Sequence, residues 1–148
     1  MDFLYDANLW VALSFEHHAR FTAACRDFGL RDSANPAAFC RVTQHAFLRL
    51  VTAPALQRGY GSRAISNAEA VGAYEGLKNL SQVVWLDEPD GLESLWLQLA
   101  SVRSASPKIW TDAYLAAFAI GHGAELVSFD ADFKTFEKDG LKLRLLSA

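Results

Sequence analysis

The stretch FLYDANLW, residues 3–10, begins with a short apolar run that ends abruptly in Asp6, with Asn8 two positions later. The apolar run predicts a short buried strand, so the acidic side chain at its exit calls for a chemical explanation. A second acidic residue has the same setting, because Asp130 follows an apolar run in LVSFDADF, residues 126–133. The two aspartates are therefore candidates for one shared site.

The length and composition predict a single globular domain over residues 1–148. The chain is 51% hydrophobic and 21% charged, which is typical of a protein that buries a core and not of a disordered chain. No targeting segment is expected at the start, and the apolar stretch 113–124 is too short to span a bilayer. Cys25 and Cys40 have no zinc-like spacing and are expected to be reduced thiols. These features predict a cytoplasmic protein that does not enter the membrane.

Strand-like and helix-like segments alternate along the chain. Predicted strands cover residues 3–5, 37–42, 83–86, 126–129 and 141–145, and predicted helices cover residues 8–28, 43–51, 66–80, 92–102, 112–120 and 132–136. The sequence also predicts helix N-caps at Thr43, at Ser66 or Asn67, and at Thr111. Helix ends are predicted at Gly29, Gly121 and Gly123, and a loop is predicted over residues 57–62. Such alternation indicates an α/β protein with three α/β/α layers and a central, mainly parallel sheet.

Three aspartates can converge on one crevice of such a sheet. Asp6 and Asp130 follow predicted strands, and ligands of parallel α/β sheets bind beyond the carboxyl ends of the strands. Asp112 stands in the first turn of a predicted helix, where the helix dipole alone could also favour it. Neighbouring carboxylates repel one another, and a divalent cation with oxygen ligands, Mg²⁺ or Mn²⁺, removes the repulsion. The pattern therefore predicts metal-dependent phosphate chemistry.

A segment without acidic residues, residues 33–68, contains Arg41, Arg49, Arg58 and Arg63, although the chain has a net charge of −3. A basic segment beside an acidic remainder suits a protein that holds a polyanion with one part and a metal ion with another. The four arginines are therefore candidate polyanion contacts. The alternative is that they are solvated or form salt bridges.

Four motifs, in this order, resemble the PIN domain, and above all the VapC-type toxin ribonucleases of bacterial toxin–antitoxin pairs. They are LYDAN (4–8), CRVTQHAFLRL (40–50), TDAYLAAFA (111–119) and LVSFDADF (126–133). The resemblance covers essentially the whole chain. It implies a Mg²⁺- or Mn²⁺-dependent endoribonuclease that cleaves RNA with a metal-activated water. It also implies a homodimer, and inhibition by a cognate antitoxin whose tail enters the active site.

The resemblance also implies roles for individual residues. Asp6, Asp112 and Asp130 match the metal-binding, catalytic acids of the family, Asn8 matches a residue that supports the first of them, and Ser128 begins the S-x-D element. Asp132 either holds a metal-bound water or caps the short helix that follows, with the cap preferred. The four arginines become candidate RNA contacts.

Gln44 departs from the family pattern, because many PIN domains have a glutamate at this position. An amide brings an oxygen but no charge, so weaker metal binding and a less secure second metal are expected. A catalytically weak module that only binds RNA or a protein is therefore one alternative. A metal-dependent phosphatase of another α/β family is a second, but it needs a further acid where Asn8 stands. A receiver domain is a third, for which Asp87 is a poor phosphate acceptor.

Overall fold

The structure, a computed structural model, describes residues 1–59 and 65–148, and the side chains of residues 57–59 lie outside that description. In the described part of the chain the strands are β1 (Phe3–Tyr5), β2 (Ala37–Phe39), β3 (Val83–Trp85), β4 (Glu125–Ser128) and β5 (Lys142–Leu145). The helices are α1 (Ala7–Ser14), α2 (Phe21–Phe28), α3 (Arg41–Val51), α4 (Pro54–Gly59), α5 (Asn67–Lys78), α6 (Leu92–Ala100) and α7 (Ile109–His122), followed by a 3₁₀ helix (Ala131–Asp139). The strands form one parallel sheet in the order β3-β2-β1-β4-β5.

The sheet buries a hydrophobic core on each of its faces, because successive strand residues point to opposite sides. Leu4 of β1 pairs with Leu126 of β4, and both belong to the core under α6 and α7. The next pair, Tyr5 and Val127, belongs to the core under α1, α3 and α5. The three-layer α/β/α architecture predicted from the alternation is confirmed, and the sheet is parallel throughout the described residues.

The first helical region is divided, whereas the sequence predicted one mostly helical stretch over residues 8–28. Helix α1 ends at Ser14, where Phe15 adopts an extended backbone with φ −130° and ψ 107°. Helix α2 begins only at Phe21. The intervening residues 16–20, EHHAR, have no large apolar side chain to continue the buried face, so nothing in the core favours helix there.

Helix α3 begins two residues earlier than predicted, and strand β2 is correspondingly shorter. The N-cap is Cys40, so the prediction of Thr43 as N-cap is wrong. Thr43 acts instead from the third helical position. Its hydroxyl accepts a hydrogen bond from the Cys40 amide at 3.0 Å and is 3.1 Å from the Cys40 carbonyl oxygen, to which it donates. By contrast, the predicted cap Ser66 is confirmed, because its hydroxyl accepts from the Glu69 amide at the start of α5.

Helix α7 also begins earlier than predicted, at Ile109 after the N-cap Lys108, so Thr111 is not its cap. The helix ends at Gly123, whose φ of +63° is the left-handed conformation that favours glycine. Gly121 lies inside the helix and does not end it. A Cβ at Gly121 would lie 2.6 Å from Cγ of Pro89, so its absence permits close contact with the segment after β3.

The structure also tests the predicted loop at residues 57–62 and the predicted state of the two cysteines. The predicted loop 57–62 is wrong in its first half, because residues 57–59 belong to α4, and residues 60–62 lie outside the described residues. Cys25 and Cys40 are free thiols, and Cys40 is buried. Among the helices described, none has the length and apolarity needed to cross a bilayer.

The strand order creates a crevice between β1 and β4. Within the sheet, β2 and β3 lie on one side of β1, and β4 and β5 lie on its other side. Ligands of open parallel sheets bind beyond the carboxyl ends of the strands at such a switch point. Asp6 follows β1 directly and Asp130 follows β4 by two residues, so both lie at this crevice.

Candidate active site

Three carboxylates form a compact acidic cluster at the crevice. Oxygen atoms of Asp112, Asp130 and Asp132 all lie within 4.8 Å of one another. Asp112 comes from the first turn of α7, and the other two come from the start of the 3₁₀ helix after β4. The side chains of Asp112, Asp130 and Asp132 are 14%, 30% and 68% exposed, so the cluster opens to solvent on one side.

Asp6 lies beside this cluster, in a network centred on Ser128. One Asp6 carboxylate oxygen accepts from the Ala7 amide at 2.8 Å and thereby caps α1. The other accepts from the Ser128 hydroxyl at 2.7 Å. The same hydroxyl accepts from the Asp130 amide at 3.0 Å and from the side-chain amide of Asn8 at 3.3 Å. Ser128 therefore fixes the segments that carry Asp6 and Asp130 relative to each other.

Burial and charge shift the pKa values of these acids in different directions. Burial raises the pKa of Asp6, and the nearby charges of Asp112 and Asp130 raise it further, against the hydrogen bonds from Ser128 and Ala7. Burial likewise raises the pKa of Asp112, although Lys108 opposes the shift. Partial burial also disfavours the charged form of Asp130, but hydrogen bonds from Lys108 and the Asp132 amide give a lowered pKa overall. The most enclosed carboxylates are thus those that most lack positive charge.

Lys108, which was not among the predicted site residues, supplies positive charge to the cluster. Its ammonium nitrogen lies 2.7 Å from a carboxylate oxygen of Asp130, 2.7 Å from one of Asp132 and 3.4 Å from one of Asp112. The hydrogen bonds with Asp130 and Asp132 raise the pKa of Lys108. The i, i+4 spacing of Lys108 and Asp112 was the available signal, because residues at this spacing are neighbours on a helix.

Asp132 does not cap the short helix, so the preferred prediction for this residue is wrong. The 3₁₀ helix is capped by Asp130, whose carboxylate accepts from the Asp132 amide at 2.9 Å. The Asp132 side chain is exposed and points its carboxylate to Lys108. Asp130 serves both as the turn-forming residue and as the helix cap that this segment needs. Asp132 therefore has no capping role, and its side chain is available to the cluster.

Asn8, which contacts Ser128 at the crevice, and Gln44, which contacts Arg41, differ in their hydrogen bonding. The side-chain oxygen of Asn8 is buried and has no hydrogen-bond partner among the described residues. The side-chain oxygen of Gln44 accepts from the Arg41 guanidinium at 2.6 Å. That guanidinium also lies over the Trp85 ring, 4.7 Å from its centroid. Gln44 is therefore already engaged by a cation, whereas the side-chain oxygen of Asn8 accepts from no donor in the described parts of the chain.

The candidate RNA-contacting arginines are not all near the acidic cluster. Arg41 opens α3, just beyond the carboxyl end of β2. Arg49 is exposed eight residues later on the same helix, which corresponds to about 12 Å along its axis. The side chain of Arg58 and the whole of Arg63 lie outside the described residues. Among the described residues, Arg41 is therefore the candidate arginine at the edge of the sheet where the crevice opens.

The donor atoms at the crevice suit a hard divalent cation. The cluster of Asp112, Asp130 and Asp132 has only oxygen ligands, which Mg²⁺ and Mn²⁺ prefer, and its atoms are close enough to share one ion. The side-chain oxygen of Asn8, to which no group in residues 1–59 or 65–148 donates, adds a neutral acceptor in the same region. The residues therefore fit a metal of this class.

Comparison with known proteins places the chain in a family. The PIN domain matches residues 3–139. Ribonuclease VapC41 of Mycobacterium tuberculosis (strain CDC 1551 / Oshkosh) is 39% identical over 145 residues, which cover 97% of this chain and 98% of that protein. The structure of VapBC2 from Rickettsia felis bound to a DNA fragment from their promoter has a TM-score of 0.68 at 14% identity, covering 99% of this chain and 100% of that chain.

A second solved structure gives the same fold. VapC20 of Mycobacterium tuberculosis, a sarcin–ricin loop cleaving toxin, has a TM-score of 0.61 at 20% identity and covers 94% of this chain and 95% of that chain. At these identities the solved structures show the fold alone. The sequence resemblance is nevertheless confirmed by the extent of the PIN match and by the identity to VapC41. The chain belongs to the PIN-domain family.

Proposed function

We propose that this protein is an endoribonuclease that depends on Mg²⁺ or Mn²⁺ and acts as the toxin of a toxin–antitoxin pair. The observation that carries the proposal is the cluster of Asp112, Asp130 and Asp132 oxygens within 4.8 Å at the crevice of a PIN fold. The 39% identity to a protein named as a ribonuclease supports the same activity. A phosphatase of another α/β family is no longer needed to explain the acidic residues, because the chain is a PIN domain.

The proposed metal ligands are Asp6, Asp112 and Asp130, with Asp132 close enough to Asp112 and Asp130 to take part. A bound divalent ion supplies polarisation of a phosphoryl oxygen and a water activated for attack. Ser128 orients the carboxylate of Asp6 through a hydrogen bond of 2.7 Å before any ligand arrives. This orientation lowers the cost of assembling the site, because the carboxylate needs no further rotation.

We assign the first contact with the RNA backbone to Arg41. Its guanidinium lies at the start of α3, beyond the carboxyl end of a strand next to β1, and can approach a phosphate near the crevice. Arg49, Arg58 and Arg63 stay candidates for contacts farther along the strand. Arg41 also donates a hydrogen bond to the side-chain oxygen of Gln44. The alternative of a catalytically weak binding module therefore depends on how strongly this pair weakens metal binding.

The proposed partners are RNA, a cognate antitoxin and a second copy of the chain. The likeness in fold to a toxin–antitoxin complex from Klebsiella pneumoniae, with a TM-score of 0.58 at 15% identity over 95% of this chain and 94% of that chain, supports the antitoxin. The proposed setting is the cytoplasm, where an RNA substrate is available, and the proposed unit is a single domain over residues 1–148. The family match over residues 3–139 is consistent with that unit.

The experiment that tests this function compares substrates. Purified protein is incubated with a mixed-sequence single-stranded RNA, with DNA of the same sequence and with p-nitrophenyl phosphate, each with Mg²⁺ or Mn²⁺. The proposal expects internal cuts in the RNA alone, mapped by sequencing of the new ends. Hydrolysis of p-nitrophenyl phosphate without RNA cleavage would contradict it, and binding of intact RNA without cleavage would favour the catalytically weak module.

A further inference from the structure

Lys108 places its ammonium group among the three carboxylates of the acidic cluster. We infer that Lys108 is a built-in counter-ion of this cluster, and that a divalent cation binds by displacing its ammonium group. This inference rests on the proposal that the cluster binds a divalent ion. Lys108 is then a positioning residue that determines how tightly the site holds its metal.

The contacts of Lys108 match those of a bridging cation. A lysine ammonium has three donors, and this one lies within 3.4 Å of an oxygen from each of three carboxylates. The two contacts of 2.7 Å are charge-assisted hydrogen bonds at the short end of the normal range. A surface ion pair has one partner, whereas this ammonium joins α7 to the start of the 3₁₀ helix at Asp130 and Asp132.

A metal ion and the ammonium cannot occupy the cluster together. Mg²⁺ binds its oxygen ligands at about 2.0–2.1 Å. An ion shared by Asp112, Asp130 and Asp132 would therefore lie among the same three carboxylates that the ammonium contacts. Two cations only a few ångströms apart repel each other strongly in a partly enclosed site. Binding therefore requires at least the two short contacts to break.

The exposure of the side chains indicates which partner moves. The Lys108 side chain is 61% exposed, whereas that of Asp112 is 14% exposed. Lysine carries its charge on a flexible four-carbon stem, so the ammonium can move into solvent without displacing a core residue. The carboxylates then remain in place for the incoming ion. Lys108 thus keeps the charged cluster together while it holds no metal, and it weakens metal binding by the same interactions.

The test is a titration of the purified protein with Mn²⁺ or Mg²⁺ alone, followed by calorimetry. Lys108→Met should bind the ion about three to ten times more tightly, because several ion-pair contacts no longer have to break. Lys108→Arg keeps the competing charge and should stay within about twofold of the parent protein. Lys134→Met is the matched control, because it removes the same charge from an exposed position two residues from Asp132. It should also stay within about twofold.

Thermal unfolding gives a second readout that does not depend on activity. In EDTA, Lys108→Met should unfold at a lower temperature than Lys134→Met, and saturating Mn²⁺ should remove or reverse that difference. Unchanged or weaker ion binding in Lys108→Met, beside a parent protein that binds Mn²⁺ and cleaves RNA, would overturn the inference and leave the proposed function standing. A parent protein that binds no divalent ion would overturn the proposed function itself.

Discussion

Single residues in the crevice combine a structural task with a chemical one. Asp6 caps α1 through one carboxylate oxygen and accepts from Ser128 through the other, while burial raises its pKa. A capping residue at a helix surface would be ionised at little cost. The raised pKa means that ionised Asp6 is unfavourable in the folded, metal-free protein, and this strain disappears when a cation binds beside it.

The first prediction concerns the charge of Asp6. A raised folded-state pKa contributes stability that is fully present below the unfolded pKa, about 4, and is lost as pH rises through the folded value. Asp6→Asn should therefore raise the unfolding temperature in EDTA at pH 7, and the gain should shrink towards pH 4. Cleavage of RNA should fall by at least about a hundredfold. The measurements are thermal unfolding across pH and a single-turnover assay.

A control of opposite sign is available at Asp32. Hydrogen bonds from the backbone amides of Asn35 and Ala34 lower the pKa of Asp32. Its contribution to stability is therefore present above the unfolded pKa and lost as pH falls through the folded value. Asp32→Asn should lower the unfolding temperature at pH 7 and leave RNA cleavage unchanged. An Asp6→Asn protein that unfolds earlier than the parent would show that the charge of Asp6 stabilises the fold.

At the scale of elements, helix α7 carries a residue of the candidate site in its first turn and a closely packed glycine near its end. The helix carries Asp112 in its first turn and Gly121 near its end, where Pro89 of the segment after β3 approaches closely. Seven residues of this helix, Ala113 to Ala119, are buried in succession, so the element is held by packing on most of its circumference. The position of Asp112 in the crevice therefore depends on contacts at both ends of α7.

The second prediction tests the close contact at Gly121. Gly121→Ala places a Cβ 2.6 Å from Cγ of Pro89, so the helix or the segment has to shift, at a cost of about 1–3 kcal/mol. Gly72→Ala in α5 is the matched control, because no atom lies within 4 Å of its added Cβ. That change should stabilise the protein by about 0.5–1 kcal/mol. Urea denaturation measures both, and equal effects would mean that Pro89 yields without cost.

The third prediction concerns α3 and the RNA backbone. Each phosphate contact with single-stranded RNA contributes about 0.7 to the slope of log affinity against log salt. In an Asp112→Asn background, where binding is separated from cleavage, Arg41→Gln should reduce that slope by about 0.7. Arg49→Gln, about 12 Å farther along the helix, should change it less with a short RNA. An unchanged slope in Arg41→Gln would indicate that this guanidinium serves only Gln44 and Trp85.

The element types could be predicted from the sequence, but several boundaries could not. The alternation of apolar runs and helical patterns is a local signal, and it predicts the parallel sheet and the order of its flanking helices. Thr111 and Thr43 were wrong as N-caps because a capping residue type does not reveal in which turn of the helix it stands. In both helices the apolar pattern continues toward the N-terminus and extends the helix by two or three residues.

The residues of the candidate site could be predicted from the sequence more easily than the contacts between their side chains. Asp6, Asp112 and Asp130 were identifiable because each stands at a strand exit or a helix start. The role predicted for Asp132 was wrong, and Lys108 was not predicted to be part of the site. The positions of both side chains depend on contacts between residues that lie 22 or 24 positions apart in the chain. Such distances are fixed by the packing of α7 on the sheet, which no local pattern in the sequence records.

At the scale of the whole molecule, a buried network joins distant parts of the chain on the side of α2. Asp27 of α2 is 2% exposed, and its carboxylate accepts hydrogen bonds from the Tyr5 hydroxyl and from Arg144 of β5. Arg31 lies 3.8 Å from the same carboxylate, with its guanidinium 3.6 Å from the centroid of the Phe3 ring. One buried charge thus connects β1, α2 and the last strand.

The fourth prediction is that this network is important for stability and not for catalysis. Asp27→Asn removes the charge that both arginines face and should destabilise the fold by about 3–5 kcal/mol, as expected when one partner of a buried ion pair is lost. Urea denaturation measures the loss. Below the denaturation transition, the folded variant should cleave RNA as the parent does, because the network shares no residue with the carboxylate cluster. A loss under 1 kcal/mol would show that solvent compensates the arginines.

The proposed function requires that the carboxylate cluster at the β1–β4 crevice bind a divalent ion and thereby cleave RNA. The most direct measurement follows an end-labelled single-stranded RNA with the parent protein and Asp112→Asn, purified side by side, over a titration with Mg²⁺. We expect internal cleavage by the parent alone, which stops on addition of EDTA and resumes when Mg²⁺ is restored in excess. Cleavage that persists in EDTA, or that is equal in Asp112→Asn, would show that the cluster is not a metal-dependent nuclease site.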